Sequence, residues 1–98
     1  MEAPSANYNN FIIEYSEDFD DSMIDYAKMS ILFGFSENPN NLDKISEIIV
    51  NKFYERYKGV WGVCIIQDGA NAACKFYYER LLFIKYKVYL IKIYQTAI

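Results

Sequence analysis

Apolar residues recur at helical spacing over two stretches in the first half of the chain and at strand-like density through most of the second. Phe11-Ile12-Ile13-Glu14-Tyr15 is a short β-prone run that reads as an edge strand. The acidic segment that follows offers Ser16 or Asp20 as a helix N-cap. From Asp21 to Phe33 the residues Met23, Ile24, Ala27, Ile31 and Leu32 share one helical face, and Gly34 is placed to stop that helix in a left-handed conformation. After a polar linker, Asn40 or Asn41 can cap a second helix with Asp43 in its first turn. Its stripe of Leu42, Ile45, Ile48, Ile49, Phe53 and Tyr57 runs to about Lys58.

Beyond Gly59 the pattern changes period. Val60 to Ile66 reads as a strand buried on both faces or nearly so, and Gln67-Asp68-Gly69 carries the Asp-Gly hairpin signal. A second strand follows from Ala70 to about Phe76. A third spans Arg80–Lys85 and a fourth Lys87–Tyr94, with a tight turn near Tyr86 that lacks the expected glycine. This predicts an α+β domain over residues 11–98, with two helices packed on an antiparallel β-sheet, preceded by a loose polar arm over residues 1–10.

Ninety-eight residues is the size of one domain, and 53% hydrophobic content is far above that of a disordered chain. Ten Tyr and seven Phe are many for so small a core. They either fill a subunit interface or lie on half-exposed strands. The net charge of -3 is uneven: eleven acids and four bases lie in residues 1–57, two acids and six bases in residues 58–98. That asymmetry could complement a partner or a second copy, or simply solubilise the helices. The bases are too scattered for a nucleic-acid stripe. The run Leu81–Ile93 is interrupted by lysines and is too short to cross a membrane.

Catalytic chemistry has little to draw on here. The chain has no His, and neither Cys64 nor Cys74 has an activating neighbour in sequence. The acids at 17–21 lack the calcium-loop spacing and sit where a helix N-terminus favours carboxylates, so neither metal nor cofactor is expected. Reduced, packed thiols are expected for the two cysteines. The stretch Ala70-Asn71-Ala72-Ala73 instead offers backbone, since its small side chains let another chain approach and pair as an added strand, unless a helix of the same chain covers it.

The run K-F-Y-E-R-Y-K-G-V-W over residues 52–61, followed by C-I-I at 64–66 and the D-G turn, resembles the dynein light chain family, the small dimeric hub type. Phe53, Tyr57, Trp61 and Cys64 are the specific matches, and the order of elements extends the likeness from about Ile12 to Tyr94. The resemblance implies a strand-swapped homodimer, with Trp61, Gly62, Val63, Cys64, Ala72 and Cys74 at or near its interface. It implies client grooves formed by Asp68, Gly69, Ala70, Asn71, Ala72, Ala73, Cys74 and Lys75, with Asp43, Leu82, Ile84 and Tyr89 contributing. Partners would be a second copy, a dynein intermediate chain and other clients bound through extended segments, with no role for nucleic acid or membrane. The setting would be the cytoplasm and cytoskeleton, or a cilium or flagellum. A structural subunit with an occluded groove, acting only through assembly, is the alternative.

Departures from the family fall where recognition occurs. Gly62 stands where the family has the interface histidine that makes its dimer pH-sensitive. Gly69–Cys74 replaces a Gly-Ser-Tyr-Val-Thr-His client strand, Leu42-Asp43 replaces a Glu-Lys pair that grips a client glutamine, and Tyr89 replaces a small alanine. Glutamine-centred clients are therefore expected to bind weakly.

Overall fold

The computed structural model describes residues 10–67 and 78–96. A strand, β1 (Phe11–Glu17), leads into two helices, α1 (Asp21–Glu37) and α2 (Leu42–Tyr57), and then into β2 (Trp61–Gln67), β3 (Tyr78–Tyr86) and β4 (Tyr89–Thr96). The four strands form one sheet in the order β1-β3-β4-β2, with every neighbouring pair antiparallel. The predicted second strand at Ala70–Phe76 lies outside the described residues.

Local chemistry accounts for the helix starts. The Asp20 carboxylate accepts from the Met23 N–H and the Ser22 hydroxyl, both at 2.8 Å, and these bonds hold its pKa below the ordinary carboxylate value. Asn41 caps α2 by accepting from the Lys44 N–H at 3.1 Å. At the far end of α2 the chain turns sharply through Lys58 and Gly59, with φ of 59° and 86°.

Gly34 does not end α1. The helix continues through it to Glu37, and Gly34 is buried where α1 crosses α2, so that a Cβ there would stand 3.0 Å from the Ile45 Cγ2. The glycine is required for close approach of two helices rather than for a left-handed turn. The hairpin between β3 and β4 also differs from expectation. Its two-residue turn is Lys87-Val88, and Lys87 itself adopts φ 56° where glycine would be less strained.

One layer of side chains makes the core. Ala27 and Ile31 from α1 and Ile45, Ile49 and Phe53 from α2 pack with Leu82, Ile84, Ile91 and Ile93, all fully buried. Truncating any of these large side chains to Ala would cost roughly 2–5 kcal/mol. Because strand residues alternate in direction, a single sheet face carries Leu82, Ile84, Ile91 and Ile93, and both helices lie on it.

Candidate functional site

Two features of the sheet are left without a partner among the described residues: its β2 edge and its second face. β2 pairs with β4 without interruption from Trp61–Gln95 to Gln67–Tyr89, and no described strand lies beyond it. It is anchored from beneath. Trp61 is buried against Phe53 (4.9 Å between ring centroids), Phe19 and Tyr57 (both 6.1 Å), and its indole N–H donates to the Lys58 carbonyl at 2.6 Å. The seven residues Trp61–Gln67 hold no charge, no proline and no bulge, none of the devices that normally blunt an edge.

The second face carries the alternate residues of each strand. Registers place Ile12, Tyr15, Phe83, Lys85, Leu90, Lys92, Tyr94, Gly62, Cys64 and Ile66 on it. Tyr15 packs on Phe83 at 5.7 Å, and the Lys92 ammonium lies 5.1 Å over the same ring. Leu81 on this face is 4% exposed yet lies outside the helix-side core. Gly62 faces Tyr94 directly, and a Cβ there would collide with the tip of the tyrosine ring. The missing side chain thus gives Tyr94 room to lie across the strand. At the margin, the Tyr15 and Tyr78 hydroxyls both donate to the Glu17 Oε1, at 2.6 and 3.1 Å. That bond, then partial desolvation and the Glu17 charge, pushes the Tyr15 phenol up to about 12.

The expected site residues divide among several environments. Gly62 and Cys64 lie on the open face, whereas Trp61 and Val63 point into the helix-side core. Leu82 and Ile84 are fully buried in that core, on an inner strand and on the face under the helices. Tyr89 packs on Phe35 of α1 at 5.3 Å, and Asp43 is exposed in the first turn of α2. Asp68, Gly69, Ala70, Asn71, Ala72, Ala73, Cys74 and Lys75 lie outside the described residues. Sequence reasoning overlooked Ile12, Tyr15, Phe83 and Tyr94 on the open face. Their signal was present in the near-continuous apolar runs of β3 and β4, which exceed what one buried face needs. Among the described residues no three His, Cys, Asp or Glu side chains gather as a metal site, and no helix is long and apolar enough to cross a membrane.

No protein-family model matches the sequence, and no curated protein is similar to it in sequence. Solved structures are similar in fold. The dynein light chain-like domain of the Fasciola hepatica calcium-binding protein FhCaBP2 superposes with a TM-score of 0.76 at 9% identity, over 91% of this chain and 94% of that domain. A further structure of that domain gives 0.75 at 9% identity, over 89% and 91%. The dynein light chain-like domain of CsTAL3 gives 0.74 at 10% identity, over 89% and 93%. The chain thus has a dynein light chain-like fold, in a divergent sequence.

Proposed function

We propose that this chain is a non-catalytic adaptor that binds short extended segments of other proteins by strand addition and works as a homodimer, in the manner of a dynein motor light chain. The observation that carries the reading is the β2 edge: seven uncharged, unbulged residues with no described strand beyond them, leading directly into the small-residue stretch Ala70–Ala73. The open face beside it, with Phe83, Leu90 and Tyr94, supplies apolar surface for a second copy. A dimer would make client binding bivalent, so that two weak contacts reinforce each other through effective concentration. Dynein assembly, non-motor clients and a cytoplasmic or ciliary setting belong to this proposal.

Sedimentation velocity and calorimetry test it together. The chain should sediment as a dimer at micromolar concentration, and the dimer should persist across mildly acidic pH, because no histidine exists to protonate. A glutamine-centred dynein light chain client peptide should bind a few orders of magnitude more weakly than is usual for such complexes, given several lost polar contacts at roughly 1 kcal/mol each. A strictly monomeric chain would contradict the reading.

A further inference from the structure

The last turn of α1 and the β3–β4 hairpin border a cleft of about 640 Å³, a size typical of ligand sites. Four rings line it, Phe33 and Phe35 from the helix and Tyr86 and Tyr89 from the hairpin. Three of them are fixed by one another: Phe35 lies 5.1 Å from Tyr86 and 5.3 Å from Tyr89. Phe11 stacks behind Tyr86 at 4.8 Å. Phe33 remains 45% exposed and Phe35 and Tyr89 are half-buried, while Tyr86, 6% exposed, forms the floor of the cleft beneath them. The polar part of the wall comprises Ser36 and Lys87, and no acidic side chain is among the described residues that line it. Two cations border the rings, Lys87 at 5.2 Å over Tyr86 and Lys52 at 4.3 Å over Phe33.

This combination selects for one kind of segment. Aromatic walls receive the flat rings of proline in an extended left-handed helix, a conformation that such segments hold before they bind. Proline-rich chains present backbone carbonyls and few N–H groups, so they need donors, which hydroxyls and an ammonium supply. Lys87, with no acid among the described residues that line the cleft and with Lys52 over the Phe33 ring beside it, adds a preference for carboxylates. We propose that this cleft is a second docking site, which takes an extended proline-rich segment carrying carboxylates from another protein. Recognition there runs through side-chain rings rather than through backbone pairing, so it is independent of strand addition at β2.

The test titrates the full chain, labelled for amide NMR, with two acetylated probes, PPEPPPEPP and its lysine counterpart PPKPPPKPP. The glutamate probe should shift the amides of Ser36, Lys87 and Tyr89 and bind at least about tenfold more tightly than the lysine probe at low salt. Lys87→Glu, at an exposed turn position, should abolish or reverse that preference while β2 amides stay unmoved. Equal binding of both probes, no saturable shift at millimolar concentration, or shifts confined to Trp61–Gln67 would overturn the proposal. Binding that emerges only after residues 1–9 are removed would also overturn it, by making the chain's own Glu2-Ala3-Pro4 segment the occupant.

Discussion

The two outer strands of the described sheet are built by opposite rules. β1 carries Glu14 and Glu17, its register breaks between Ile13 and Tyr15, and its end is tied to β3 by the Tyr78 hydroxyl, which donates to the Glu17 carboxylate beside the strand's own Tyr15. A bulge and charges are what a protein places on an edge that should stay unpaired. β2 has neither, and its register runs unbroken over seven residues. Its support differs as well, since Trp61 locks it to the helices while Ile12, Ile13 and Tyr15 of β1 remain exposed. If β2 receives an added strand, as proposed, its rigidity would help, because a strand held firmly by its own core loses little entropy when another is added.

The strongest test of this difference is Trp61→Ala, which removes the ring that anchors β2 and should cost about 3–5 kcal/mol in urea unfolding. A loss under about 1 kcal/mol would mean that β2 is not held by the indole. Next comes a matched pair of lysine substitutions on the open face. Ile66→Lys in β2 should weaken self-association at least tenfold, about 1.4 kcal/mol, in sedimentation equilibrium. Ile12→Lys in β1, already 57% exposed, should leave it unchanged. Equal effects would erase the distinction between the edges.

A smaller effect concerns the packing beneath β2. Among the described residues the buried Tyr57 hydroxyl has no hydrogen-bond partner, although its ring lies 6.1 Å from Trp61. Tyr57→Phe should therefore stabilise the fold by up to about 1 kcal/mol in thermal unfolding, and a clear destabilisation would reveal a partner for that hydroxyl. The smallest effect belongs to the tie on β1. Tyr15 has its pKa raised to about 12 by Glu17, so its contribution to stability is complete below its ordinary value of 10.0 and is lost as pH rises from there towards 12. Tyr15→Phe should remove a phenol that titrates well above the ordinary range from an ultraviolet tyrosinate titration, and an unchanged curve would show that the bond to Glu17 does not hold in solution.

Much of this architecture was legible because it is periodic. The stripe Ile45, Ile49, Phe53 follows directly from helical spacing, and Asp20 and Asn41 announce helix starts through capping chemistry that acts over three residues. Gly34 was legible only as a breaker, since nothing local tells that Ile45 of the next helix needs its space. Which way Leu82 and Ile84 face was hidden for a similar reason. An apolar strand run does not reveal which of its two faces meets the helices.

The sequence by itself determined the two helices, the strands among the described residues, their order in the chain and the lack of histidine, because these depend on residue identity and on neighbours within a turn or a strand. Only the tertiary structure decided the order β1-β3-β4-β2 among the described strands, the packing of both helices on one face and the placing of Tyr94 over Gly62. Those properties are set by pairings between residues far apart in the chain. Chain direction and side-chain period permit several such pairings, and the shared burial of Ile84 with Ile91 and Leu82 with Ile93 selects one.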